Sequence, residues 1–267
     1  MVRIRPGRLV TDSPALTRRT SSSLAPLPST ILSSEVMRLF PEAPPGGTSA
    51  LPAAAAFWMP KPDELDEEGF GYFRDTWLIK DVPVGEAQGI TVVERRIAEV
   101  VGELADTADD FERLARVAEF GGIDDPAYDL SERERGALAE VVSDIPELGG
   151  LELGVAGLAH ALATVRILPA ASCRSHLERS WSDAPVVLFA ATEFRAKALQ
   201  PLVEGSGCTF TLDENRPELL VVRGLSIANT MALADAVMEN RKKFVQHRAP
   251  DQRQSRREPQ SVQESLF

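Results

Sequence analysis

Two cysteines and three histidines among 267 residues leave little for disulfides or soft-metal ligation. A disulfide framework is excluded, and the count suits a reducing compartment. No apolar run approaches the roughly 18 residues of a spanning helix, so the sequence predicts no membrane partner and a cytoplasmic location. The Gly-rich phosphate loop, the Walker motif and the G-x-G-x-x-G turn are all missing, and the cofactor, if any, stays unknown. Neither a Cys-x2-Cys nor a His-x3-His pair occurs, so spacing alone predicts no metal site. Arg3 and Arg5 are not followed by the hydrophobic run of a secretory signal. What the chain has in quantity is acid: 40 acidic against 29 basic residues, a net charge of −11. Spread evenly, that charge would repel nucleic acid.

The charge is not spread evenly. Residues 61–150 carry 24 acids and nine bases, for −15; residues 1–60 are +3, residues 151–240 are −3 and residues 241–267 are +4. Both ends are basic, so the average does not exclude a polyanionic partner.

Composition divides the chain into four parts. Residues 1–56 are rich in Ser, Thr, Pro, Ala and Gly, as in Thr20-Ser21-Ser22-Ser23 and Pro44-Pro45-Gly46-Gly47. They are expected to be disordered, because they bury too little apolar surface to offset chain entropy. The Arg-rich, acid-poor start also looks like an organelle transit peptide. Residues 57–148 are expected to be an acidic, mainly helical region. At its start Phe57, Trp58, Phe70, Tyr72, Phe73 and Trp77 alternate with acids. They read either as a segment stapled onto the folded part or as a docking strip; the first is preferred, since exposed aromatic patches of that size are rare. Val93, Ile97, Val100, Val101 and Leu104 form one helical stripe, and Phe111, Leu114, Ala115 and Ala118 a second. Ser131 and Glu134 make a capping box.

Residues 149–245 change character. The pattern predicts a helix over 151–165, a strand over 166–172 at an edge because of Pro169, and a buried strand over 184–190. A helix over 192–203 follows. Strands over 208–212 and 219–222 flank the turn Asp213-Glu214-Asn215-Arg216, a hairpin signal, and a helix over 225–243 closes the region with Ser226 as N-cap. The order α-β-β-α-β-β-α predicts an α+β two-layer sandwich. Residues 246–267 are expected to be a disordered basic tail.

Ser172-Cys173-Arg174-Ser175-His176 lies where the first strand leaves the sheet, a place that often carries function. A nearby His or Arg cation lowers the pKa of a thiol, so Cys173 and His176 are the candidate catalytic pair. The competing reading is a small buried thiol at a strand end. Ser172, Arg174, Ser175, Trp181 and Asp183 are candidate ligand-binding residues. Arg174, Arg179 and Trp181 together suit a phosphate and a stacked base, or else a solvated connector.

The run R-I-L-P-A-A-S-C-R-S-H, the strand P-V-V-L-F, the hairpin and the helix ending M-E-N-R-K-K-F together resemble the tRNA wybutosine-synthesising methyltransferase family called TYW-three-like. That family carries an S-S-C-x-G-R-type turn after its first strand; this chain keeps Ser172-Cys173 but has Ser175 for the glycine and His176 for the arginine. The resemblance covers about a third of the chain. It implies a loop that works on a tRNA base with S-adenosylmethionine.

The pentapeptide Gln263-Glu264-Ser265-Leu266-Phe267 resembles the bacterial sliding-clamp-binding motif, whose pattern is Gln, any residue (often Leu), Ser or Asp, Leu, Phe. Leu266 and Phe267 suit an apolar pocket and Gln263 its rim, with Ser265 between them. Arg253, Arg256 and Arg257 upstream suit phosphate contacts with nucleic acid. Three functions are therefore expected: a DNA replication or repair accessory protein docked on the sliding clamp, an RNA-modifying or related enzyme using the Cys173–His176 loop, or an interaction protein whose ending is accidental. The residues name neither a reaction nor an oligomeric state.

Overall fold

The structure, a computed structural model, describes residues 46–61, 81–142, 148–177 and 180–245. Expectations for residues 1–45, for the aromatics from Phe70 to Trp77, for Arg179 and for residues 246–267 lie outside the described residues. The chain is α+β, with six α-helices and one four-stranded antiparallel sheet among the described residues. None of these helices is long and apolar enough to cross a membrane.

Helix α1 spans Val84–Leu104 and α2 Ala108–Phe120, with Thr107 capping α2 through its side chain. Helix α3, Glu132–Ala139, opens on the expected capping box between Ser131 and Glu134. The stripe predicted for α1 is rotated in the fold. Its innermost positions include Thr91, Glu94, Ile97, Ala98 and Val101, while Val93 and Val100 are half-buried. The reason is polar: Glu94 faces inward to accept backbone N–H bonds from Gly154 and Gly157.

Helix α4, Ala156–Thr164, leads into strand β1, Leu168–Cys173, and β2, Val186–Ala190. The helix starts five residues later than the pattern at 151 suggests. Gly154 has φ +90° and packs against Ile227, so residues 148–155 form a loop instead. Helix α5, Glu193–Gly205, then β3, Thr209–Asp213, and β4, Arg216–Arg223, precede α6, Ile227–Glu239. Ser226 caps α6 in a box with Asn229, and a short 3-10 turn, Arg241–Phe244, follows. The sheet order is β1-β2-β4-β3. Strand β1 is an edge strand, as Pro169 requires, and its register shifts between Pro169 and Ala171. The other edge, β3, is covered by Thr48, whose backbone pairs with that of Phe210.

Both faces of the sheet are apolar, because alternate residues of β2 and β4 point opposite ways. Val187, Phe189, Phe210, Leu220 and Val222 join Leu158, Leu162, Leu199, Val203, Leu233 and Val237 of α4, α5 and α6 in the main core. Val186, Leu188, Leu219 and Val221 form the opposite face, against which Trp58 and Met59 pack. The Trp58 indole N–H donates to the Glu218 carbonyl at 2.6 Å, fixing that aromatic on the sheet. A third cluster joins Ile97, Val101, Phe111, Leu114 and Leu138 of the acidic helices to Leu153, Ala156, Ile227 and Met231. Residues on both sides of position 148 thus share one apolar core.

Candidate functional site

Strand β1 ends at Cys173, and the chain turns at once beneath the acidic helix α2. Ser175 holds φ +72°, a left-handed conformation that a non-glycine residue adopts against a steric cost. The turn aims Arg174 and His176 at carboxylates from two other segments. The Arg174 guanidinium, 4% exposed, bonds through Nε to Glu119 Oε1 and through Nη1 to Glu112 Oε2, both at 2.6 Å. Its backbone N–H donates to Glu152 Oε2 at 2.6 Å. His176 lies between two acids, with Nδ1 3.0 Å from Glu112 Oε1 and Nε2 2.8 Å from Glu152 Oε1. The acidic region is therefore partly inward-facing: its Glu112 and Glu119, with Glu152 from the loop before α4, surround one Arg and one His.

The charges settle according to burial. Glu119 is raised above the usual carboxylate range, chiefly by desolvation, which Arg174 and the Leu153 N–H offset in part. Burial also acts to raise Glu112, but Arg174 and His176 outweigh it and hold that carboxyl low. Desolvation acts against charge on Arg174, yet Glu119 and Glu112 hold its proton more firmly than in water. A fully ion-paired guanidinium of this kind is a structural strut between α2 and the β1 loop rather than an open phosphate clamp.

Cys173 is fully buried. Its Sγ lies 3.3 Å from Ser180 Oγ and accepts the Ser175 N–H at 3.4 Å. Ser172 is half-buried in β1 and pairs with Val187. Cys208 lies elsewhere, in the main core, where burial pushes its thiol up to about 12. One group of ligand-type side chains emerges among the described residues: atoms of Glu152, Cys173 and His176 lie within 4.8 Å of one another.

Trp181 and Asp183 are placed differently. They line a cleft of about 560 Å³ with Gly46, Thr211, Asp213 and Arg223, and none of residues 172–176 lines it. The Asp183 carboxylate pairs with Arg223 Nη1 at 2.6 Å, which lowers its pKa. The structure therefore brings Cys173 and His176 together and sends Trp181 and Asp183 to a second location. Sequence reasoning missed Glu112 and Glu119, which lie in the acidic helical region, and Glu152, which lies at the start of the stretch read as the helix over 151–165. The signal in reach was the inward phase of Glu112 and Glu119, which fall beside Phe111 and Ala118 on α2.

Comparison with protein-family models, with curated proteins and with solved structures finds no match to this chain.

Proposed function

We propose that the protein is a DNA replication or repair accessory factor recruited to the sliding clamp through Gln263-Glu264-Ser265-Leu266-Phe267. The pentapeptide is the observation that carries this reading: four of its positions fit the motif it resembles. Leu266 and Phe267 supply the apolar anchors, Gln263 and Ser265 the polar contacts. Ordering a peptide on binding costs free energy, so the affinity is modest, roughly micromolar. Arg253, Arg256 and Arg257 contact phosphates of the DNA that the clamp encircles.

Two measurements test the reading. Replacing Leu266 and Phe267 by Ala removes two anchors and weakens capture by a purified bacterial-type clamp by about 30-fold or more; undiminished capture overturns the proposal. Replacing the three arginines by Ala lowers the slope of log affinity for DNA against log salt by about 0.9 per arginine. An unchanged slope removes them from the contact.

A second reading, an RNA-modifying or related enzyme, is supported by the convergence of Glu152, Cys173 and His176. On that reading Cys173→Ala abolishes RNA-dependent activity while the melting temperature stays near that of the parent. A large stability loss with RNA binding intact supports a buried structural thiol.

A further inference from the structure

His176 lies at the centre of a polar cluster on the loop after β1. Both ring nitrogens face carboxylate oxygens, Nδ1 toward Glu112 at 3.0 Å and Nε2 toward Glu152 at 2.8 Å. His176, Glu152 and Cys173 each bring one ligand-type atom to a group whose members lie within 4.8 Å of one another. We propose that Glu152, Cys173 and His176 bind a zinc ion, with the fourth coordination position open to water or a small oxygen ligand.

The donor set fits. Thiolate, imidazole and carboxylate together favour zinc over magnesium or calcium, and three protein ligands with one open position are the arrangement of zinc sites that take up a ligand. The three donors lie within 4.8 Å of one another. Tetrahedral bonds of about 2.0–2.3 Å put donors roughly 3.3–3.6 Å apart, so binding asks for side-chain shifts on the order of 1 Å.

The surroundings hold each donor for this use. Glu152 is anchored through Oε2 by the Arg174 N–H, which leaves Oε1 facing the histidine. With Nδ1 as the donor to Glu112, Nε2 is left for a metal, the arrangement in which outer-shell carboxylates orient metal-bound histidines. The Ser175 N–H points at the Cys173 sulfur and holds it in place. Cys173 is buried while Glu152 and His176 are half-buried, so solvent reaches the site from one side. Cysteine and histidine spacing hides such a site, because Cys173 and His176 supply two ligands and the third comes from the loop before α4. The inference does not rest on tail docking.

The test uses the full chain, stripped with a chelator and titrated with Co²⁺ and then Zn²⁺. One cobalt per chain is expected, with a near-ultraviolet thiolate-to-cobalt charge-transfer band and visible bands of four-coordinate intensity, all displaced by one equivalent of zinc. Cys173→Ser removes the charge-transfer band, and Glu112→Gln weakens cobalt binding by about 10- to 100-fold. Absence of the bands in the unmutated chain overturns the proposal, and that result does not depend on any variant folding. Retention of the charge-transfer band in Cys173→Ser places the metal elsewhere and overturns it too. So does a nitrogen-detected NMR signature of a doubly protonated His176 in protein given excess zinc.

Discussion

Glu94 sits in α1 with no solvent exposure, and its two oxygens accept the N–H groups of Gly154 and Gly157 at 2.8 and 3.1 Å. Desolvation is the largest influence on it and outweighs those hydrogen bonds, raising its pKa to about 7. The folded state therefore holds a proton that the unfolded chain releases near pH 4.5. Stability from this group is complete below pH 4.5 and is lost as pH rises to about 7, by about 3 kcal/mol. Glu134 runs the other way. Burial acts to raise it, but Arg113, the Ser131 hydroxyl and the Ser131 N–H pull it to about 2. Its contribution is present above pH 4.5 and fades as pH falls toward 2. Urea midpoints measured from pH 4.5 to 7.5 check the first statement. Glu94→Gln lowers the midpoint overall, since its amide group cannot accept one of the two N–H bonds. It also makes the decline between pH 4.5 and 7 shallower, leaving what Glu119 and Asp235 contribute, whose pKa values are raised as well. A decline as steep as in the parent contradicts the role given to Glu94.

Among the elements, glycine shows how context sets the sign of one substitution. Gly154 has φ +90°, and a Cβ there would collide with Ile227 Cβ and lie 2.6 Å from its Cγ2. Gly89 is exposed on α1 with nothing within 4 Å of the added carbon. Gly154→Ala is expected to destabilise by about 2–4 kcal/mol, from left-handed backbone strain and overpacking. Gly89→Ala is expected to stabilise by about 0.5–1 kcal/mol. Chemical denaturation of both variants checks the pair, and equal effects would mean that the 154–227 contact is misplaced. The same glycine explains what the sequence pattern could and could not show. Elements with local signals were readable: the Ser131–Glu134 box, the Pro169 edge strand, the Asp213–Arg216 turn and the Ser226 cap all stand where the residues put them. The start of α4 and the rotation of α1 were not readable, because both depend on Ile227 and Glu94 meeting residues 148–157 across the fold. The candidate site divides along the same line. Cys173 and His176 are close in sequence and can be picked out together; their carboxylate neighbours come from residues 112, 119 and 152 and need the tertiary structure.

For the molecule as a whole, the shared apolar cluster makes the acidic helices part of the sheet's support. Ile227 and Met231 of α6 pack with Ile97, Leu114 and Leu138, and Arg174 ties the β1 loop to α2. A fragment of residues 149–245 would expose Leu153, Ala156, Ile227 and Met231 and strand a buried guanidinium without Glu112 and Glu119. It is expected to show no cooperative melt, whereas the intact chain unfolds in one transition with coincident fluorescence and circular-dichroism midpoints. A fragment that melts cooperatively near the midpoint of the intact chain contradicts this coupling.

The folded part, on this account, is cargo that the pentapeptide brings to the clamp. The most direct test is a calorimetric titration of the full chain into purified bacterial-type sliding clamp, repeated with excess synthetic peptide covering residues 258–267. Saturable binding near micromolar strength that the peptide abolishes is the predicted result. No binding, or binding that the peptide leaves intact, would contradict it.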